Sequence, residues 1–208
     1  MKRINLMLVA ALTALAVAST PALAQVEFFI DAELPAADTA TFGVSKVFVG
    51  PPENFIAQPP GTVNLDFGLL SLNTDGIFLP DPGFYWAIDV GSNGAGHPDV
   101  ALSYTDTANP NGGLNNGDGL GGRATANFAE VVTNPDNTQT VNDITKVALG
   151  SVGSLPGGGI NETQFADGFL RISVGIAVDA TVANASPFTT LDEDGVYSGT
   201  LTITATFD

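Results

Sequence analysis

Tyr197-Ser198-Gly199-Thr200-Leu201-Thr202-Ile203-Thr204-Ala205-Thr206-Phe207 decides the fold class. Tyr197, Gly199, Leu201, Ile203, Ala205 and Phe207 fall on one face, Ser198 and the four threonines on the other. Successive side chains of a strand point to opposite faces, and β-branched threonine suits a pleated surface. The stretch therefore reads as a strand with one face toward a core and a polar face turned away.

Working back from it, similar runs recur between clusters of Gly, Pro, Asn and Asp. The expected strands are 26–34, 41–49, 63–72, 84–90, 100–105, 124–132, 144–149, 169–182 and 196–207. Turns are expected at Pro51-Pro52, Pro59-Pro60-Gly61, Asp75-Gly76, Pro80-Asp81-Pro82-Gly83, Asn134-Pro135-Asp136-Asn137 and Gly157-Gly158-Gly159. Asn109–Gly122, rich in Gly and Asn, reads as a long mobile loop. No long amphipathic helix, internal repeat or linker is found. The expectation is one all-β domain, an antiparallel β-sandwich or barrel.

The N-terminus reads as an export leader over residues 1–24. Lys2 and Arg3 precede an apolar run from Ile4 to Val17, and Ala22-Leu23-Ala24 gives the small-x-small pattern of a cleavage site. The apolar run is short for a membrane span. Cleavage after Ala24 leaves 184 residues starting at Gln25, with four basic side chains against 22 acidic ones. That balance argues against a nucleic-acid or anionic-membrane partner, which would need basic patches. The chain has no cysteine, so strand pairing and burial must stabilise it without disulfides.

The first mature stretch alternates as well. Val26, Phe28, Ile30, Ala32 and Leu34 are apolar, while Glu27, Asp31 and Glu33 with Phe29 occupy the other positions, and Pro35 follows. Such an arm can fold back as a first strand or complete the sheet of a neighbouring molecule.

The two ends together resemble pilin subunits of the chaperone–usher pathway. Gly195 is fourteenth from the end, Phe207 is penultimate, and the residues between them alternate. The missing cysteines, the Gly195-Val196-Tyr197-Ser198-Gly199 stretch and the arm ending at Pro35 are similar to the cysteine-free alternate branch of that family. The family more often has tyrosine where Phe207 stands, and the Asp-Pro pair that closes the arm is missing here.

The resemblance implies an incomplete immunoglobulin-like sandwich with an N-terminal donor-strand arm over residues 25–35 and a pilin domain over 36–208. Val26, Phe28, Ile30, Ala32 and Leu34 would be the donor residues. Gly195, Tyr197, Gly199, Leu201, Ile203, Ala205 and Phe207 would form the strand that a periplasmic chaperone, and then the next subunit, complements. The implied partners are further copies of the chain head to tail, the chaperone and an outer-membrane usher, with export through the periplasm to a cell-surface fimbria. A self-contained exported sandwich binding a carbohydrate or calcium is the alternative.

Residues able to carry chemistry give no enzyme signature, and no cofactor is expected. His97 is the only histidine and has no nucleophile elbow beside it, so neither a triad nor a zinc site is expected. Asp192-Glu193-Asp194-Gly195 and Asn116-Gly117-Asp118-Gly119 resemble pieces of calcium loops without the full ligand spacing, and read as turns. Gly117-x-Gly119-x-Gly121-Gly122 lacks the strand–helix context of a dinucleotide site. Asn161-Glu162-Thr163 is an incidental glycosylation sequon. Tyr85 and Trp86 are expected to pack on an inner sheet face; a sugar-stacking platform would instead require an exposed ring.

Overall fold

The computed structural model describes residues 22–27, 40–92, 98–107, 119–131, 140–154 and 169–207. Among these are twelve strands: β1 (Ala22–Glu27), β2 (Ala40–Phe48), β3 (Asn54–Ala57), β4 (Ser71–Leu72), β5 (Ile77–Leu79), β6 (Phe84–Ser92), β7 (Asp99–Asp106), β8 (Ala124–Val131), β9 (Thr140–Ala148), β10 (Phe169–Ile176), β11 (Phe188–Thr189) and β12 (Gly199–Phe207). Two short 3-10 turns, Leu120–Gly122 and Leu149–Ser154, complete the described elements. The chain is all-β, and every strand pairing among the described residues is antiparallel.

Six strands form the largest sheet in the order β3-β2-β6-β10-β8-β9, and β1-β12-β7 form a second. A small third sheet has the order β11-β5-β4. The core joins the first two. Ile88 and Val90 of β6, Phe128 of β8, and Leu170 and Ile172 of β10 pack in one cluster with Val100 of β7 and Leu201 and Ile203 of β12. Period-two alternation explains why this works: Phe84, Trp86, Ile88 and Val90 share the inner face of β6, opposite Phe48, Lys46, Val44 and Phe42 of β2. Trp86 meets Phe84 edge-on at 5.8 Å between ring centroids, and Phe67 stacks on Phe84 at 5.7 Å. Lys46 Nζ stands 3.7 Å from the Phe84 centroid, so the ring faces hold the ammonium at the margin of this core.

Two expected strands are shorter than the alternation suggests. Residues 62–70 form no strand, and only Ser71–Leu72 of the expected 63–72 run pair. Leu65 is nevertheless buried, with Val63, Phe67 and Leu70 against the core. The alternation marks a segment that lies over the core without a ladder. Asp66 Oδ1 accepts a bond from Gly68 N at 2.7 Å, and Gly68 has φ 69°, so an Asx turn diverts the chain. The expected 169–182 strand stops at Ile176, where Ala177 N donates to Arg123 O at 2.8 Å and leaves the sheet. The short β3, β4, β5 and β11 offer too few residues for periodicity to reveal. The Asp75-Gly76 turn does close the β4–β5 hairpin: Asn73 Oδ1 accepts from Asp75 N and Ile77 N, and Gly76 has φ 80°.

Candidate functional site

The first candidate is the edge of β12. On one side β12 pairs with β7 from Gly199↔Asp106 to Thr206↔Asp99. On the other it pairs with β1, with Ala22↔Phe207, Ala24↔Ala205 and Val26↔Ile203 in register. Leu201, Ile203 and Ala205 are buried, and the intervening threonines are half-buried. Of the sequence-derived donor residues, Val26 lies in β1; Phe28, Ile30, Ala32 and Leu34 lie outside the described residues. The observed strand also extends back through Ala22-Leu23-Ala24, which the sequence assigns to the leader. The rest of the described edge set divides at Gly199: Gly195 and Tyr197 precede the strand.

Tyr197 meets Phe188 edge-on at 4.7 Å between ring centroids, and its hydroxyl donates to Glu193 O at 2.9 Å. Burial, then the neighbouring Asp192 and Glu193 charges, pushes the Tyr197 phenol up. The acidic turn is a strap. Asp192 pairs with the buried Arg123 at 2.7 Å and accepts from Thr189 N at 2.7 Å. Arg123 also donates to Ser186 Oγ and to Pro187 O. The Asp192 carboxylate, which in the sequence looked like part of a calcium loop, is thus engaged by a guanidinium.

The glycine run has a packing role at its described end. Asp106 Oδ1 accepts from Gly121 N and from the Tyr104 hydroxyl, each at 2.9 Å. A Cβ on Gly119 would collide with the Asp106 carboxylate, and one on Gly121 would lie 3.0 Å from Gly150 Cα. Gly119–Gly122 is therefore a fitted turn, which corrects that end of the expected mobile loop. The remainder, 109–118, lies outside the described residues, as do His97 and Asn161-Glu162-Thr163. Gly199 is equally constrained: a Cβ there would strike the Tyr104 ring and lie 2.8 Å from Thr105 O. Burial first, then Asp106, raises the Tyr104 phenol above its ordinary range.

The second candidate lies on the face of the six-stranded sheet opposite the core. Strand register builds it in three rows. Arg171 stands opposite Asp89, with Ala129 beyond it. The next row is Lys146, Asn127, Ser173, Ala87 and Ser45. The third is Thr125, Gly175, Tyr85, Val47 and Phe55. Alternation puts Tyr85 on this face and Trp86 on the inner one, so the expectation that both rings share the core side is corrected for Tyr85.

Arg171 Nε and Nη2 donate to Asp89 Oδ1 and Oδ2 at 2.7 and 2.9 Å, a bidentate pair with both residues about 5% exposed or less. Burial pushes the Asp89 carboxyl up, and the guanidinium opposes that shift. Arg171 also lies 4.8 Å from the Phe55 centroid, so these two side chains reach toward each other over the row of small residues. Ser45, Val47 and Ala87 are buried on this face as well. The Tyr85 hydroxyl donates to Glu53 Oε2 at 3.0 Å, and burial followed by that contact raises its pKa. Gly175 lets Tyr85 lie close, since a Cβ there would sit 3.3 Å from Tyr85 Cβ.

Beside these walls opens a cleft of about 900 Å³, floored by Ser173, Gly175, Thr125 and Asn127 and rimmed by Lys146 and Val178. Comparison of the chain with protein-family models, curated proteins and solved structures yields no match.

Proposed function

We propose that the chain is a structural subunit of a cell-surface fibre: an incomplete immunoglobulin-like sandwich, exported through the periplasm and polymerised by strand exchange with chaperone and usher as assembly partners. The observation that carries this reading is the partner of β12. Its second edge is met by residues from the other end of the chain, antiparallel and in register from Ala22↔Phe207 to Glu27↔Thr202. Cleavage after Ala24 would remove half of that partner. Gln25, Val26 and Glu27 alone would remain, and the edge beside Ala205, Thr206 and Phe207 would be open. An open edge with an apolar face invites another strand.

The arm offers one of matching length. A strand can slip by an even number of residues without exchanging its faces. A slip of four from the β1 register sets Val26 opposite Phe207, Phe28 opposite Ala205, Ile30 opposite Ile203, Ala32 opposite Leu201 and Leu34 opposite Gly199. The apolar residues from Val26 to Leu34 thus span all of β12, Gly199–Phe207. Burying four substantial side chains contributes on the order of 6–12 kcal/mol before ordering costs. A contact of this kind between copies is head to tail and propagates as an open filament.

The test is a gel of the exported protein, unheated beside boiled. A ladder that collapses to one band on boiling supports trapped strand exchange; a single band in both lanes refutes it. Because the chain has no cysteine, register can be read directly. The Asp31→Cys, Thr202→Cys double variant should give a ladder that survives boiling and that a thiol dissolves. Cross-linking between copies by Glu27→Cys, Thr202→Cys instead would preserve exchange and refute the slip.

A further inference from the structure

We propose that the fold withholds every basic residue of the mature chain from trypsin-type proteases, a resistance built from the placement of four side chains and independent of strand exchange at β12. The sequence supplies the first half of the argument. Removal of residues 1–24 leaves Lys46, Arg123, Lys146 and Arg171 as the only bases. Proteases nick folded chains chiefly in the segments that connect ordered elements. The stretches between successive elements, from 28–39 to 190–198, hold no Lys or Arg apart from Arg123, which joins the Leu120–Gly122 turn to β8.

Strand pairing supplies the second half. A protease of this class takes the base before the scissile bond into an acidic pocket and the flanking backbone as an extended segment. A base held in a ladder must therefore be released by local unfolding first. Arg171 lies in β10, paired with Asp89 on one side and Ala129 on the other, and its guanidinium is bidentate on Asp89. Lys46 lies in β2 between Ile56 of β3 and Trp86 of β6, and its ammonium stands over the Phe84 ring. Arg123 is 6% exposed and engaged at three points. Its backbone N donates to Leu120 O, its carbonyl accepts from Ala177 N, and its guanidinium pairs with Asp192.

Lys146 is the weak point, and it makes the order of cleavage specific. It is exposed, and β9 is an edge strand that pairs with β8 alone among the described residues. Ala148, Leu149 and Val152, just beyond the Lys146–Val147 bond, are buried, so even this site opens only when β9 peels from β8. Peeling one edge strand is a smaller opening than separating β6, β8 and β10. Where opening is fast relative to cleavage, the rate follows the population of the open form. Hydrolysis of the Lys146–Val147 bond should therefore precede every other tryptic cut.

Trypsin digestion of the mature chain tests this, with samples boiled before electrophoresis so that bands count chains, and cut sites read by mass spectrometry. The first cut should fall after Lys146, giving fragments 25–146 and 147–208. It should be at least about 100-fold slower than cleavage of a synthetic peptide of residues 140–152. Leu69→Arg places a base at a position 94% exposed in the ladder-free stretch 62–70, and should be cut there well before Lys146. The order of cuts in the unsubstituted protein keeps the test valid if that variant fails to fold. Cleavage of the parent at Lys46, Arg123 or Arg171 ahead of Lys146, a rate equal to the peptide's, or a folded Leu69→Arg as resistant as the parent would each overturn the assignment.

Discussion

Ile30→Asp is the sharpest perturbation of the proposed fibre. In the four-residue slip, Ile30 faces Ile203, which is fully buried between the equally enclosed Leu201 and Ala205. Replacing it forfeits about 2–3 kcal/mol of apolar burial. The new carboxyl must also enter that site. With an ordinary pKa of about 3.9, protonating it at pH 7 costs roughly 4 kcal/mol. The total is about 6–7 kcal/mol, a factor on the order of 10⁴–10⁵ in the exchange equilibrium. At pH 4 the protonation cost nearly vanishes, and the deficit falls to about 2–3 kcal/mol. The assay is the unheated ladder formed by purified subunits at both pH values, with Asp31→Asn on the opposite face as the control. Secretion should be intact, fibres absent at pH 7 and partly restored at pH 4. Fibres of ordinary length from Ile30→Asp at pH 7 would refute both the register and the donor role.

Three further outcomes follow from described contacts. Arg171→Met, which leaves Asp89 buried without its bidentate partner, should cost about 3–5 kcal/mol by urea unfolding, and most of that should return in Arg171→Met, Asp89→Leu. Gly199→Ala should destabilise by about 1–3 kcal/mol, because its methyl group meets the Tyr104 ring and Thr105 O; a calorimetric Tm equal to that of the parent would contradict the packing. Tyr85, Tyr104 and Tyr197 all have folded pKa values above the unfolded one of about 10. The native state then holds protons that the unfolded chain releases, so their contribution is complete below pH 10 and is lost as pH rises toward the folded values. Phenolate absorbance should accordingly lag behind that of the urea-unfolded chain between pH 10 and 11, and coincident titrations would argue against the burial.

Much of the fold was legible because long half-buried strands repeat with a period of two. β12, β6 and β8 were each readable from alternation to within about three residues of their ends. The 63–72 stretch misled for a physical reason: burial produces alternation, while pairing requires a neighbouring ladder, and Asp66 with Gly68 turns the chain away first. The large sheet's second face was hidden for a different reason. Asp89 and Arg171 are 82 residues apart, and only the β6–β10 register brings them together. The signal that could have exposed it was polar residues inside apolar strands: Asp89 in Ala87-Ile88-Asp89-Val90 and Arg171 in Leu170-Arg171-Ile172. Likewise Gly119 and Gly121 carried no periodicity, and their role depends on Tyr104 and Asp106 lying beneath them.

Trp86 gives the molecule an optical asymmetry. It is the chain's one tryptophan, 5% exposed and set edge-on against Phe84 on the inner layer. Its emission therefore reports loss of the core, while the cleft is lined by Tyr85, Phe55 and, at the sheet's margin, Phe84, and contains no indole. Tryptophan fluorescence is a clean gauge of unfolding for this protein, and the cleft can reach the indole through a single ring, Phe84, so a small emission change without unfolding would report an event in the cleft.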